Sequence, residues 1–312
     1  MFHSKLPLVA MTPQKKLLVI AGPTASGKTA LGIRLAQHYQ TEILSADSRQ
    51  FYQEMEIGTA KPSAEERAAV PHHFIDSLSI QQDYNIGDFE RDALAFLDRF
   101  YKQQDLALMV GGSGLYIKAV CEGLDTFPAV AVGVRENLMQ VLEEQGIEAL
   151  QQELAVVDPV YYAKVDRANP HRLIRALEIC RSTGQAFSSF QGKERRPRPF
   201  QPLTIAIQWE RAVLYDRINK RVDQMIEQGL IAEAQQLYPY QHLNALQTVG
   251  YKELFDHFNG LTDLPTAIEL IKRNTRRYAK RQLTWLRKQE QVHWVSSNPN
   301  MEELTQWIEK QL

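Results

Sequence analysis

Eight residues near the start of the chain have the types and spacing of a phosphate-binding loop. They read GPTASGKT and fit the pattern G-x-x-x-x-G-K-[ST]. In such a loop glycines let successive backbone N–H groups turn toward one anion, a lysine neutralises phosphate, and the next hydroxyl can ligate Mg²⁺. The pattern predicts a diphosphate or triphosphate ligand, with the last residue as a metal ligand. The residues are Gly22, Pro23, Thr24, Ala25, Ser26, Gly27, Lys28 and Thr29.

One acidic residue follows the second apolar run of the chain. Asp47, in SADSRQFY, comes after EILSA and is therefore expected at the carboxyl edge of a sheet, beside the phosphate loop. A nucleotide hydrolase would usually place its acid after a central apolar strand, but the run LALMV (106–110) continues into glycines. Asp47 can be a metal ligand, a general base or a helix cap, and the residues alone leave all three open.

Strand and helix patterns alternate around these residues. Apolar runs indicate strands at 16–22, 42–46 and 106–110, and helical periodicity follows the phosphate loop, covers 88–103 and begins again at Leu115. Alternation of this kind is typical of a mainly parallel sheet with helices packed on both faces. We therefore predict an α/β fold with a P-loop parallel-sheet core.

The pattern changes in the middle of the chain, where residues 122–200 show only helical periodicity. Strand character resumes at 203–209, and helices are predicted at about 211–238 and 264–289, before a short strand at 292–295 and a terminal helix. We predict three segments. Residues 1–121 form the first part of the P-loop core, 122–200 an all-helical insertion, and 201–312 the second part of the core with basic C-terminal helices.

Composition excludes several classes of protein. The 312 residues are 44% hydrophobic and 23% charged, which is ordinary globular usage and excludes disordered, collagenous and coiled-coil chains. No membrane-spanning apolar run and no signal-peptide pattern occur, so we expect no membrane association and a cytoplasmic protein. Two cysteines exclude a disulfide framework and a four-cysteine zinc site. No apolar heptad indicates an oligomer, and a monomer is expected.

Charge is segregated along the chain although the totals nearly cancel, with 36 basic and 37 acidic residues. Residues 272–288 carry eight basic side chains and no acidic one, and 167–181 and 193–198 are also strongly basic. If these segments converge, they form the footprint of a nucleic-acid site. Three separate solvated faces are the alternative, and charge alone does not decide between them.

Seven blocks, in order, resemble the tRNA dimethylallyltransferase family, the isopentenyl transferases that modify the adenosine next to the anticodon. The blocks cover the chain from about residue 17 to 290: GPTASGKT, SADSRQFY, IGTAKP (57–62), VGGSGLY (110–116), HRLIRALE (171–178), QTVGYKE (247–253) and KRQLTWLR (280–287). Ser113 stands where the family more often has Thr. The chain also lacks the Cys/His zinc extension of eukaryotic relatives, so a bacterial type is expected.

The resemblance implies a Mg²⁺-dependent prenyl transfer. The phosphate loop would hold the diphosphate of dimethylallyl diphosphate, and N6 of adenosine 37, in tRNAs that read codons starting with U, would attack the allylic carbon. Asp47 matches the general base, Thr24 a hydroxyl near the reacting centre, and Arg217 an arginine that binds the diphosphate. Without the resemblance, Arg217 would be read as a helix-surface arginine.

The resemblance also implies contacts with the anticodon stem-loop, for which the target base must leave its stack. For Tyr251 and Trp285, packing in the core is an equally good reading. The helical insertion is expected to contact the stem. The matched tRNA-binding residues are Asp47, Ser48, Arg49, Gln50, Ser113, Arg135, His171, Arg172, Leu173, Ile174, Arg175, Gln247, Tyr251, Lys252, Lys280, Arg281, Gln282 and Trp285.

Three other functions are compatible with parts of the pattern. An adenylate isopentenyltransferase would use the same chemistry on free AMP, ADP or ATP, but it needs neither the insertion nor the basic helix. A small-molecule kinase also presents a P-loop with an acid at a strand end, and it would turn over ATP. A non-catalytic RNA-binding module would keep its function when Asp47 is replaced by Asn.

Overall fold

The computed structural model describes residues 15–192 and 197–312. The described strands are β1 (Lys16–Ala21), β2 (Ile43–Ser45), β3 (His72–His73), β4 (Leu106–Gly111), β5 (Gln201–Ile207) and β6 (Val292–Val295). The α-helices are α1 (Lys28–Tyr39), α2 (Ala64–Ala69), α3 (Ile86–Phe100), α4 (Gly114–Glu122), α5 (Val134–Gln145), α6 (Ile147–Val157), α7 (Pro159–Tyr162), α8 (Pro170–Thr183), α9 (Arg211–Glu227), α10 (Leu230–Leu237), α11 (Tyr251–Phe258), α12 (Leu264–Leu286) and α13 (Met301–Glu309).

The six strands form one parallel sheet in the order β3-β2-β4-β1-β5-β6. Strand β1 is central, and Val19 pairs with Met109 of β4 on one side and with Thr204 of β5 on the other. The carboxyl ends of β1, β2 and β4 therefore lie side by side. The predicted α/β fold with a parallel-sheet core is confirmed.

Alternate residues of β1 feed two apolar cores, one on each face of the sheet. Leu17 and Val19 pack with helices α3 and α4, whereas Leu18 and Ile20 pack with α1 and α13. Because both faces are covered by helices, the strand is apolar from Leu17 to Ala21 rather than alternating in polarity.

A third apolar core is built from α9, α10, α11 and α12 together with residues 52–57. It joins the segment that follows β2 to helices that come almost 200 residues later in the sequence. Tyr251 and Leu254, which are both fully buried, lie in this core. These helices form the wall that faces the carboxyl edge of the sheet.

The chain divides into two compact units. Unit 1 comprises the described parts of 1–122 and 197–312, and unit 2 the described part of 123–196. Within unit 2, helices α5 to α8 surround an apolar core that includes Leu150, Leu154 and Leu177. Unit 2 contains no strand among its described residues.

Three predicted helices have different bounds in the structure, and the first of them, expected over 88–103, is α3 at Ile86–Phe100. The helix expected over about 211–238 is two helices, because α9 ends at Glu227 and Gly229, with φ of 106°, begins the turn into α10. The helix expected to reach 289 ends at Leu286. The short elements α2 and β3 and helix α11 were not predicted, since none is long enough to show a clear period. No helix of the described chain is long and apolar enough to span a membrane.

Candidate active site

A cleft of about 550 Å³ lies where β1, β2 and β4 end. The phosphate loop follows β1, Asp47 follows β2, and Gly111 ends β4, so three loops of the sheet meet there. Helices α9 and α12 close the other side of the cleft with residues such as Arg221 and Tyr278. This is the edge at which ligands bind in open parallel sheets.

The loop between β1 and α1 has the conformation of an anion cradle. Ala25 and Gly27 have positive φ angles of 62° and 88°, and such changes of backbone handedness form concavities of N–H groups that bind anions. The indole of Trp209 donates to the Ser26 carbonyl at 2.9 Å and so fixes the loop from outside. The Ser26 hydroxyl is buried and has no hydrogen-bond partner among the described residues.

Lys28 lies in the cleft, and its ammonium group donates to the Pro23 carbonyl at 2.7 Å. Burial lowers the pKa of Lys28 to about 8, against the opposing attraction of Asp47, and the nearby positive charge of Arg221 lowers it further. A lysine held this way is desolvated before any anion arrives, and its charge is therefore available to a phosphate group.

Asp47 and the three residues after it form the second wall. The Asp47 carboxylate accepts from the backbone N–H of Arg49 at 3.1 Å, and Ser48 donates its N–H to the Ser113 hydroxyl at 3.1 Å. Arg49 donates to the carbonyls of Asn244 and Ala245, at 3.0 and 3.1 Å. The predicted residues Asp47, Ser48, Arg49 and Gln50 all line the cleft.

On α9, the arginine that lines the cleft is Arg221 and not Arg217, which the sequence singled out. Arg217 is exposed, donates to the Ala25 carbonyl at 3.0 Å and stacks on Trp209 at 4.4 Å, so it supports the loop backbone. Arg221, one helical turn later on α9, reaches the Thr24 hydroxyl at 3.5 Å and the Ala60 carbonyl at 3.3 Å. Burial lowers the pKa of Arg221 against the attraction of Asp47, but a guanidinium stays charged. Diphosphate binding by Arg217 stays a prediction, and Arg221 is a second candidate.

Gln282, expected to bind tRNA, clamps the phosphate loop to the end of β4. Its side-chain oxygen accepts from the backbone N–H of Thr24 at 2.9 Å, and its amide nitrogen donates to the Gly112 carbonyl at 2.9 Å. The approach is so close that a Cβ on Gly112 would lie 2.3 Å from the amide nitrogen. Because both polar ends of this buried side chain are used within the protein, the prediction of a tRNA contact does not fit this conformation.

Tyr251 and Trp285, the two aromatic tRNA contacts expected from the sequence, belong to cores. Tyr251 is 0% exposed and its hydroxyl donates to Glu233 at 2.6 Å. Trp285 is half-buried and packs so closely on Gly114 that a Cβ there would lie 2.3 Å from its ring. The packing interpretation is the one that fits Tyr251, which has no surface for RNA in this conformation.

Of the remaining residues predicted in unit 1 to bind tRNA, all but Ser113 have accessible side chains at or near the cleft. Gln247, Lys252 and Arg281 are exposed and line its mouth, and Lys280 is exposed on α12. The Arg281 guanidinium lies 5.6 Å from the ring of Tyr278. Ser113 is 9% exposed and lies beneath Ser48.

In unit 2, a single carboxylate accepts hydrogen bonds from two of the arginines predicted to contact tRNA. Glu178 is buried and accepts from Arg135 at 2.6 Å and from Arg175 at 3.2 Å. Both arginines are about half-exposed, and the exposed residues His171 and Arg172 begin the same helix as Arg175.

Leu173 and Ile174, which the matched block also assigned to tRNA, are 0% and 3% exposed in the core of unit 2. Their side chains are not accessible to RNA in this conformation, because helical periodicity turns these two positions inward while the charged positions around them face out. Their contact with tRNA stays a prediction.

Some basic residues of the three basic segments are buried or paired with acidic residues. Arg198 is paired with Glu90 at 2.6 Å and its side chain is 8% exposed, so it adds little to a surface footprint. Lys272 pairs with Asp223 and Glu269. Lys193, Arg195 and Arg196 lie outside the described residues.

Sequence reasoning missed Arg221, Asn274 and Tyr278, which all line the cleft. Burial raises the pKa of the Tyr278 phenol to about 12, aided by Asp47, and its hydroxyl bonds to the Ser113 side chain. The spacing of residues along α9 and α12 is the sequence signal that points to these three residues. Arg221 lies four residues after Arg217, and Asn274 and Tyr278 lie eight and four residues before Gln282, on the face of α12 that these intervals define.

The oxygen donors of the cleft suit a hard divalent cation. Thr29 and Asp47 both line it, and hydroxyl and carboxylate oxygens are ligands that Mg²⁺ accepts. Within residues 15–192 and 197–312, no group of three or more His, Cys, Asp or Glu side chains is arranged to hold a metal. The residues present therefore fit an ion held by one or two protein groups and completed by phosphate oxygens and water.

Comparison with known proteins places these features in a family. Residues 50–289 match the family model described as IPP transferase. A protein from Christiangramia forsetii named tRNA dimethylallyltransferase is 56% identical, with 95% of this chain and 98% of the relative covered. A protein of the same name from Flavobacterium johnsoniae is 46% identical, with 96% and 98% covered.

Solved structures agree. The tRNA isopentenylpyrophosphate transferase from Bacillus halodurans is similar at a TM-score of 0.70 with 38% identity, covering 95% of this chain and 94% of that one. A eukaryotic dimethylallyltransferase acting on tRNA gives a TM-score of 0.74 with 28% identity, covering 94% and 75%.

Proposed function

Since the chain belongs to the tRNA dimethylallyltransferase family, we propose that the cleft of unit 1 is where it joins a dimethylallyl group to tRNA. The protein is a transferase that modifies tRNA by adding a dimethylallyl group. The donor in this proposal is dimethylallyl diphosphate, and the acceptor atom is N6 of the adenosine next to the anticodon. We expect a monomer that acts in the cytoplasm.

The charged groups in the cleft are the observation that supports this site. The cleft brings a carboxylate, Asp47, within electrostatic reach of two desolvated cations, Lys28 and Arg221, at a phosphate loop. A transfer that expels diphosphate and deprotonates an amine needs cations for the leaving group and a base for the nucleophile. Both are present in one cavity, and their charges influence each other.

The proposed reaction is a substitution at the allylic carbon of the donor. The adenine N6 forms a bond to this carbon while the carbon–oxygen bond to diphosphate breaks, and diphosphate leaves with the bonding electrons. Asp47 accepts the N6 proton. Backbone N–H groups of the loop, Lys28 and Arg221 bind the charge that develops on the leaving diphosphate. The Thr24 hydroxyl, 3.5 Å from Arg221, lies in the same cleft.

Magnesium is part of this proposal. Thr29 would hold the ion, and the cleft also contains the carboxylate oxygens of Asp47. When bound, Mg²⁺ adds positive charge at the diphosphate oxygens. Side chains and backbone groups of the chain itself accept the N6 proton and bind the diphosphate.

The RNA would be bound by residues that remain accessible. In unit 1 these are the cleft residues Ser48, Arg49 and Gln50 and the exposed residues Gln247, Lys252, Lys280 and Arg281. In unit 2 they are Arg135, His171, Arg172 and Arg175. Arginine and lysine at these positions would neutralise phosphates, while the cleft receives the extruded base.

A single incubation tests the proposal. Purified protein and Mg²⁺ are mixed with radiolabelled dimethylallyl diphosphate, an unmodified anticodon stem-loop with adenosines at positions 36 and 37, and free AMP. Label should enter the RNA. Label in AMP alone would contradict the proposed acceptor and identify a free-nucleotide enzyme. Label in neither, together with turnover of ATP in a separate incubation that contains ATP and Mg²⁺, would identify a kinase.

A further inference from the structure

One wall of the cleft is a turn, residues 56–60, that is held by a carboxylate from a distant helix. Glu233 of α10 accepts three successive backbone N–H groups: Glu56 at 3.1 Å, Ile57 at 2.7 Å and Gly58 at 2.9 Å. Successive backbone N–H groups that converge on one anion form a tight binding concavity. Here the anion is supplied by the protein itself.

The same carboxylate takes a fourth hydrogen bond from the buried Tyr251 hydroxyl, at 2.6 Å. Each carboxylate oxygen of Glu233 therefore accepts two bonds. Gly58 lies directly against the Tyr251 ring, and a Cβ on this glycine would come within 2.5 Å of it. The turn is thus fixed both by charge-assisted hydrogen bonds and by close packing.

The far end of the turn has an anchor of its own. The side chain of Lys61 is 0% exposed, donates to the Tyr52 carbonyl at 2.8 Å and forms an ion pair with Asp76. Between the two anchors, Ala60 has a φ of 48°, a conformation that residues with a side chain seldom adopt without support from their surroundings.

Two carbonyls of this turn hold cleft side chains. The Ala60 carbonyl accepts from Arg221 at 3.3 Å and from the Gln50 amide at 3.1 Å, and the Thr59 carbonyl accepts from the Gln50 amide at 3.2 Å. Arg221 in turn reaches the Thr24 hydroxyl in the phosphate loop. A continuous series of contacts therefore runs from Glu233 through the turn to Arg221.

We propose that Glu233 is a positioning residue, which fixes the 56–60 turn so that the carbonyls of Thr59 and Ala60 hold Arg221 and Gln50 in the cleft. Glu233 itself does not line the cleft. The inference rests on the proposed function for its catalytic consequence, but the placement of Arg221 can be tested without any transfer reaction.

The experiment measures binding of inorganic pyrophosphate by calorimetry, in the presence of Mg²⁺, to the full chain and its variants. Glu233→Gln keeps the shape of the side chain but removes the charge and places an amide against backbone donors. We expect its pyrophosphate affinity to fall about tenfold. The matched control is Glu227→Gln, the same change on an exposed residue at the end of α9, which should bind within about twofold of the wild type.

A double-mutant cycle separates positioning from general loss of structure. In an Arg221→Gln background, Glu233→Gln should weaken pyrophosphate binding by less than about twofold, because the side chain that it positions is already absent. Equal losses in the two backgrounds would overturn the proposal. So would wild-type affinity in Glu233→Gln itself.

A second variant keeps the test valid if Glu233→Gln folds poorly. Tyr251→Phe retains the ring against Gly58 and removes one donor to Glu233, and it should weaken pyrophosphate binding in the same direction by a smaller factor. Unchanged affinity in Tyr251→Phe would count against the proposal. Failure of the wild type to prenylate a stem-loop would refute the proposed function instead, and would leave the binding result to stand separately.

Discussion

Arginine side chains are held in two different ways in the two units of this protein. In the cleft of unit 1, Arg221 is fixed by a carbonyl and a hydroxyl, and among the described residues it forms no salt bridge with a carboxylate. In unit 2, Arg135 and Arg175 share the carboxylate of Glu178, whose side chain is 3% exposed while theirs are 51% and 46% exposed.

The difference indicates which anion each arrangement suits. A buried cation whose charge is not neutralised by a salt bridge attracts a compact, highly charged group strongly, since water screens it little. Exposed arginines that are oriented by a buried carboxylate present their remaining donors to a long polyanion, and salt screens them. Changes in the cleft should therefore have large effects with little dependence on salt, and changes in unit 2 small effects with strong dependence on salt.

The largest difference between a cleft variant and its matched control should separate Arg221 from Arg217, both on α9. Arg221→Gln should lower kcat/KM for prenyl transfer by about 10²-fold, the usual loss when one group that stabilises a leaving charge is removed. Arg217→Gln, the matched control one helical turn away, should lose less than about tenfold, because it contacts the loop only through the Ala25 carbonyl. Steady-state kinetics with a stem-loop substrate measures both. Equal losses would show that both arginines bind the diphosphate directly.

Loss of the two Gln282 hydrogen bonds should lower the stability of the protein and leave its affinity for RNA unchanged. Gln282→Leu leaves the Thr24 N–H and the Gly112 carbonyl without their partner, and the free energy of unfolding should fall by about 1–3 kcal/mol. Denaturant unfolding measures this change, and filter binding should give an unchanged Kd for the stem-loop. A weaker Kd at unchanged stability would restore Gln282 as a tRNA contact.

The depressed pKa of Lys28 predicts a pH dependence of anion binding. Burial lowers this pKa to about 8, so the free protein loses the ammonium charge as the pH rises through 8. Between pH 7 and 9, pyrophosphate affinity should fall by about tenfold as the protonated fraction falls. Calorimetry over this range tests the prediction. Lys28→Arg stays charged throughout and should lack this part of the fall, and the same fall in both proteins would assign it to another group.

The smallest effects are expected in unit 2. Arg135→Gln or Arg175→Gln should weaken stem-loop binding by a few-fold and reduce the slope of log K against log salt by about 0.7–0.9. Arg181→Gln is the control, because that arginine is held by Glu153 on the same unit and was not assigned to RNA. Binding titrations at several salt concentrations provide the slopes. An unchanged slope in both contact variants would remove these arginines from the interface.

Contiguous features were predictable from the sequence. The phosphate loop is one strand, one turn and one helix, so its eight residues carry their own context, and Asp47 could be placed because parallel strands end at one edge. The α/β fold followed from alternating elements. The order of the strands did not, since it depends on which strands pair across crossovers.

The contributions of distant helices could not be read in the same way. Arg221 reaches the cleft, and Glu233 reaches the 56–60 turn, because α9, α10 and α12 pack together in a third core. The residues next to Glu233 in the sequence do not indicate that packing. The contacts that Gln282 and Tyr251 make inside the protein could not be predicted for a related reason. Amides and phenols serve equally well as RNA contacts and as buried hydrogen-bond partners, and only burial distinguishes the two uses.

The central claim is that Asp47 acts as the base in the cavity whose cations hold the diphosphate. Single-turnover transfer to a saturating stem-loop, measured for the wild type and for Asp47→Asn, tests it most directly when RNA affinity is measured in parallel. The account predicts a rate lower by about 10²–10⁴-fold for Asp47→Asn, with the Kd for RNA within about twofold of the wild type. A rate within about threefold of the wild type would contradict it.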